Sequence, residues 1–187
     1  MKSLISLLFV GLCISPALAG LDPDTDSMGI YFDTVGNTNC ITSPAFFQQS
    51  VYLLLMNPAD VTNSFECSVT MQGGPYFVLS TDLAGGGENW CYSPDCYQVG
   101  GGGNYPVTDG AAWLARWTVM LTAPAELLFY IRGVSGDLPV VSGDGIPRLC
   151  GVSSGDVNLP VAGLNAGGNC PVSERVSSFG SVKSLFR

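Results

Sequence analysis

Cysteine dominates the reactive chemistry of this chain, which has seven cysteines and no histidine. Without histidine there is no Ser-His-Asp triad, no Cys-His pair and no histidine-ligated metal. An apolar leader includes Cys13, and the even number of cysteines beyond it predicts three disulfides in an oxidising compartment. The sequence leaves the connectivity open, and proximity favours the pairs Cys40–Cys67, Cys91–Cys96 and Cys150–Cys170.

The leader, residues 1–19, has the three parts of a secretory signal peptide. Met1 and Lys2 give a basic start, residues 3–14 are apolar, and the small residues Ala17 and Ala19 mark a cleavage site. An apolar run of this length is too short to span a bilayer stably. We therefore expect a secreted protein, extracellular or at the cell surface, with no membrane span in the mature chain.

Carboxylates are the other side chains that could do chemistry here. A glycoside hydrolase needs two of them, and Glu66, Glu88, Asp109 and Glu126 are available. No spacing marks any two as a pair, and Glu66 falls on the outward face of its predicted strand. The sequence therefore favours a protein that is not an enzyme, with a secreted hydrolase as an alternative.

Acidic residues near the mature N-terminus suggest a cation site. Asp22, Asp24 and Asp26, with Asp33 further on, superficially space their oxygens like an EF-hand loop. An EF-hand is excluded because Ser27 stands where the turn requires glycine and no helices flank the loop. A looser structural calcium site at Asp22, Asp24 and Asp26 competes with a simply solvated N-terminus, and no other cofactor is indicated.

The segment from Leu83 to Gly110 is rich in glycine and carries aromatic side chains around a close cysteine pair, Cys91 and Cys96. A loop fixed by a disulfide loses less conformational entropy on binding, and Trp and Tyr are frequent binding anchors. The competing interpretation is that these aromatics cover one open end of the fold. The candidate ligand-binding residues are Trp90, Tyr92, Tyr97 and Tyr105.

Strand-like runs separated by Gly, Pro, Asn and Asp must position these residues. Residues 64–71 alternate apolar and polar, which is the period of a half-buried strand. Gly73 and Gly74 indicate a hairpin into residues 75–80. The best strand pair is 111–122 with the run that begins at Glu126, and it places Trp113 and Trp117 in the core. We predict an all-β fold over residues 20–170, a two-sheet β-sandwich of immunoglobulin-like or jelly-roll type, stabilised by disulfides.

Residues 171–187 differ in composition and contain Arg175, Lys183 and Arg187. The closing SFGSVKSLFR resembles the tail, aromatic-Gly-x-x-Lys-x-Leu-aromatic-Arg, of uncharacterised secreted bacterial β-sandwich proteins. The GIYFD run and the following Asn39-Cys40 resemble the start of their domains. This resemblance implies a separate C-terminal module and no activity. Its function as a sorting or docking peptide competes with a frayed terminus, and its candidate docking residues are Phe179, Lys183, Leu185, Phe186 and Arg187.

The formal net charge of −8 argues against nucleic acid and anionic membranes as partners, because both require basic patches. We therefore expect a secreted, non-catalytic surface or extracellular-matrix protein with a structural, adhesion or assembly role. Its partner would be another copy, another surface component or a glycan. The alternative function is a carbohydrate-binding module that uses the aromatic segment.

Overall fold

A computed structural model describes residues 21–171 as two packed β-sheets, and the predicted all-β sandwich is confirmed. The predicted signal peptide and the segment from 172 onwards lie outside this range, and so do the predicted docking residues Phe179, Lys183, Leu185, Phe186 and Arg187. The strands are β1 Ser27–Tyr31, β2 Cys40–Ile41, β3 Gln48–Met56, β4 Ser64–Gly73, β5 Tyr76–Leu83, β6 Glu88–Asn89, β7 Cys96–Gly100, β8 Ala111–Leu121, β9 Leu127–Arg132, β10 Val140–Gly143, β11 Ile146–Leu149, β12 Gly151–Val152 and β13 Ala162–Leu164. Two short 3₁₀ turns cover Ala84–Gly86 and Gly167–Asn169. Within the described range, no helix is long and apolar enough to cross a membrane.

The first sheet has the strand order β12-β1-β3-β8-β5, and the second has the order β11-β10-β4-β9-β13-β2. Strand β4 pairs with three other strands of the second sheet. On one edge it pairs with β7, and on the other it pairs first with β10 and then with β9. Strands β9 and β10 therefore form one interrupted line along β4, and the connecting loop 133–139 leaves the sheet beside Glu66.

The core between the sheets follows the alternation of the strands. Val51 and Leu53 from the first sheet and Val69 and Phe129 from the second are buried in one cluster. Trp117 joins this cluster, whereas Trp113 is only half-buried and packs against its margin. The register of β3 and β8 shifts between Leu53 and Leu54, so Trp113 pairs with Leu54 on the outer face, where it is half-buried. The extra residue of a bulge shifts the alternation of the strand by one position. Residues beyond it therefore point to the opposite face from the one that simple alternation predicts.

The predicted hairpin at Gly73 and Gly74 is also wrong, because β4 and β5 belong to different sheets. Gly73 has φ 135°, and a Cβ atom there would overlap the carbonyl oxygen of Glu126. The chain therefore crosses between the sheets at this glycine. Likewise, β8 and β9, the predicted strand pair, lie in opposite sheets rather than side by side.

Two disulfides form, Cys40–Cys170 and Cys91–Cys96, while Cys67 and Cys150 remain buried thiols. Only Cys91–Cys96 agrees with the pairing that proximity favoured, so the prediction of three disulfides is wrong for this structure. The amide of Cys150 donates to the carbonyl of Pro139 at 2.8 Å. Burial raises the pKa of the Cys67 thiol, and the nearby Cys150 thiol adds to the rise.

Candidate functional site

The aromatic segment folds into a short, tightly held hairpin made by β6 and β7. The Cys91–Cys96 disulfide closes its turn. The side-chain oxygen of Asn89 accepts the amides of Cys91 and Gln98 at 3.1 and 2.9 Å, and its amide group donates to the carbonyl of Cys96 at 3.0 Å. The amide of Trp90 donates to the carbonyl of Gln98 at 3.0 Å. The backbone that presents Trp90 is therefore fixed before any ligand arrives.

Trp90 and Tyr92 project from this hairpin into solvent, with 59% and 104% of their surface exposed. The Trp90 ring lies over Gly100, where an added Cβ atom would sit 3.2 Å from the ring. A side chain at position 100 would push the indole off the sheet. Glycine at position 100 thus leaves room for the six-membered ring of the indole, while 59% of the Trp90 surface stays open to solvent.

Tyr97 and Tyr105, by contrast, are core residues with exposures of 8% and 4%. The Tyr97 ring packs edge-on against Trp117, and the Tyr105 ring packs edge-on against Phe65. Burial raises the pKa of Tyr105 to about 12. These two tyrosines cannot meet a surface ligand, so the binding hypothesis is wrong for them. The alternation in CYQVG, which places Tyr97 and Val99 on one face, is the sequence signal that could have identified Tyr97 as a core residue.

Trp90 also forms one wall of a groove of about 360 Å³ on the outer face of the second sheet. Glu66 pairs with Gln98 on one side and with Val140 on the other, and Ser64 pairs with Ser142. Directly paired residues of antiparallel strands point to the same face. The outward side chains of this Trp90 groove are Trp90, Ser64, Glu66, Gln98, Val140 and Ser142.

Glu66 is the carboxylate of the groove, and hydrogen bonds hold it in place. One oxygen accepts the amide and hydroxyl of Ser135 at 3.2 and 2.9 Å, and the other accepts the Gln98 side-chain amide at 3.0 Å. The described arginines are engaged elsewhere: Arg116 with Asp82, Arg148 with Asp26, and Arg132 with Asn158. Glu66 therefore places a negative charge in the groove that none of these arginines neutralises.

The other carboxylates considered for hydrolysis do not line the groove with Glu66. Glu126 accepts the side-chain amide of Asn169, and Glu88 lies exposed in β6. Asp109 sits in the turn before β8 with φ 52°. The Trp90 groove therefore lacks the second carboxylate that glycoside hydrolysis needs.

The three N-terminal aspartates do not form the calcium site that their spacing suggested. Asp26 is committed to Arg148, at 2.9 Å, and to the amide of Ala59. Asp22 is buried and accepts the amide of Asp24, and burial raises its pKa. Across residues 21–171, no group of three or more acidic or cysteine side chains lies where it could hold a metal ion. The side-chain amide of Asn57 donates to the carbonyls of Asp22 and Asp24, so these contacts and those of Asp26 hold this segment on the sandwich.

No protein-family model matches this sequence, and no curated protein is significantly similar to it. Among solved structures, the chain is similar to a cohesin module from a Clostridium perfringens family 33 glycoside hydrolase. The TM-score is 0.43 and the sequence identity is 7%. The match covers 67% of this chain and 90% of the cohesin chain.

Proposed function

We propose that this chain is a secreted, non-catalytic adhesion or assembly protein that binds a component of the cell surface or extracellular matrix through the Trp90 groove. The observation that supports this most is the display of Trp90, which is 59% exposed on a backbone fixed by a disulfide and by Asn89. When a partner covers a large apolar ring, the free energy falls because apolar surface leaves water. Little conformational entropy is lost here because the backbone is already fixed.

The chemistry of the groove supports recognition rather than turnover. Glu66 is its single carboxylate, and the chain contains no histidine to serve as a general base. The hydrogen bonds from Ser135 and Gln98 also fix Glu66 as an acceptor. Such a group orients a ligand but has no partner with which to exchange protons during a reaction.

The covalent structure suits a protein that works outside the cell. Two disulfides within one small sandwich are typical of oxidising compartments. One of them, Cys91–Cys96, stiffens the hairpin that carries Trp90. An oxidising environment, which allows this disulfide to form, would therefore also fix the hairpin that presents Trp90.

The test is retention of the fluorescently labelled mature chain on washed cells of the organism that secretes it. We expect Trp90→Ala to reduce retention at least tenfold. The matched control is Phe77→Ala, because Phe77 is 57% exposed but lies in β5 of the other sheet. Retention that is unchanged by Trp90→Ala, or reduced equally by both substitutions, would overturn the proposal.

A further inference from the structure

We propose that the ligand of the Trp90 groove is an uncharged pyranose glycan, and that Glu66 selects against acidic sugars. This inference rests on the proposed function, because it names the chemical class bound by the same groove. It differs from the site of four aromatic residues that the sequence suggested, since Tyr97 and Tyr105 are buried. The geometry points instead to one indole wall beside a polar strip of the sheet.

The indole wall supplies the apolar half of sugar recognition. The C–H face of a pyranose ring is flat and apolar, and it stacks on aromatic rings of similar size. The six-membered ring of Trp90 lies beside Gly100, and Trp90 lines the groove with 59% of its surface exposed. Tyr92 is fully exposed in the same hairpin and can contact a neighbouring sugar unit of a chain.

The polar strip supplies donors and acceptors suited to hydroxyl groups. Glu66 receives three hydrogen bonds, so about one of the four lone-pair sites of its carboxylate remains open to a sugar hydroxyl. Gln98 uses one of its two N–H bonds on Glu66 and keeps the other as a donor. Ser64 donates to the carbonyl of Ser142 and can accept from a ligand. A sugar hydroxyl can both donate and accept, and it therefore matches this mixture.

Charge decides which sugars fit. No lysine or arginine lines the groove, and none of the described arginines forms a salt bridge with Glu66. A uronate or sulfate group placed there would meet a like charge with nothing to pair with it. A basic peptide would satisfy the charge, but Glu66 already receives three donors and the remaining side chains are neutral hydroxyl, amide and apolar groups.

The experiment is affinity electrophoresis and calorimetry of the full mature chain with two groups of soluble polysaccharides. The neutral group is glucomannan, xylan, hydroxyethyl cellulose, galactan and dextran, and the acidic group is polygalacturonate, alginate and chondroitin sulfate. We expect binding to at least one neutral polysaccharide and to none of the acidic ones. Trp90→Ala should weaken this binding at least tenfold, and Trp90→Phe should retain part of it.

Two further variants test the polar half. Glu66→Gln removes the charge but keeps an acceptor. It should therefore reduce the ratio of the affinity for neutral glycans to the affinity for acidic glycans at least tenfold. Phe77→Ala, on the other sheet, should change nothing. Binding to no neutral polysaccharide, tighter binding to acidic ones, or binding only to an oligolysine peptide would each overturn the glycan inference. If retention on cells depends on Trp90 but the neutral glycans do not compete, the adhesion proposal stands and the glycan inference fails.

Discussion

The indole N–H of Trp117 donates to the phenol oxygen of Tyr97 at 2.7 Å, and this bond joins the two sheets inside the core. Burial raises the pKa of Tyr97, and the bond from Trp117 opposes that rise. Tyr97→Phe would leave a buried indole N–H without a partner, which costs about 1–3 kcal/mol. We expect a loss of that size in the free energy of unfolding, measured by guanidinium denaturation.

Tyr92→Phe is the control for that measurement, because Tyr92 is fully exposed and should change the free energy of unfolding by less than about 0.5 kcal/mol. Binding through the Trp90 groove should survive Tyr97→Phe wherever the protein remains folded. Equal stability of the two variants would show that the bond between Tyr97 and Trp117 contributes little.

Two Arg–Asp pairs in very different surroundings give a second prediction. The side chains of Arg148 and Asp26 are 18% and 11% exposed, and those of Arg116 and Asp82 are 45% and 46% exposed. Arg148→Met strands a largely buried carboxylate and removes bonds to loop 57–62, so it should cost about 2–4 kcal/mol. Arg116→Met should cost clearly less, because water screens the pair.

Thermal and urea unfolding of both methionine variants would measure this difference. The same substitution at both sites keeps the change in side-chain chemistry constant, so the contrast reports the environment of the pair. Equal losses in the two variants would contradict the assignment of Asp26 and Arg148 as the structural pair.

Asp22 gives a stability effect with a definite dependence on pH. Burial raises the pKa of its carboxyl in the folded state, so the fold favours the protonated form. The resulting stability is full below the unfolded pKa of about 3.9, and it is lost as pH rises through the folded pKa. Asp22→Asn removes the buried charge and keeps an oxygen that can accept the amide of Asp24.

The unfolding free energy of Asp22→Asn minus that of the wild type should therefore be larger at pH 7 than at pH 3. The measurement is the difference between the two unfolding free energies in urea at each pH. A difference that stays constant between pH 3 and pH 7, or changes in the opposite direction, would show that burial does not favour the neutral form of Asp22.

Cys67 and Cys150 should be unreactive thiols even in the oxidising compartment that we propose for this protein. Both are buried, and burial raises the pKa of both, that of Cys150 to about 12. The thiolate is the nucleophile, so alkylation requires unfolding. Iodoacetamide should add no groups to the native mature chain, which lacks Cys13, and two to the same chain unfolded without reductant, as counted by mass spectrometry. Reduction before unfolding provides the positive control, and absence of labelling without reductant would reveal a third disulfide.

The sequence was sufficient for the sandwich because alternation in strands such as β4 follows directly from burial of one face. It pointed to the hairpin of Trp90 because cysteines and aromatics are concentrated there. It could not reveal the groove, since Ser64 and Glu66 meet Val140 and Ser142 only through the register of β4 and β10. The half-burial of Trp113 could not be predicted for a similar reason, because its facing depends on a bulge that composition does not encode.

The Cys40–Cys170 disulfide gives the fold a mechanical property. It joins residues separated by 130 positions, from the start of β2 to the end of the described chain. Tension applied between the N-terminus and the C-terminal segment would pass through residues before Cys40, across the disulfide and out beyond Cys170. The intervening strands, and with them the groove, lie outside this path. A molecule held at both ends could therefore be stretched while the Trp90 groove stays free of tension.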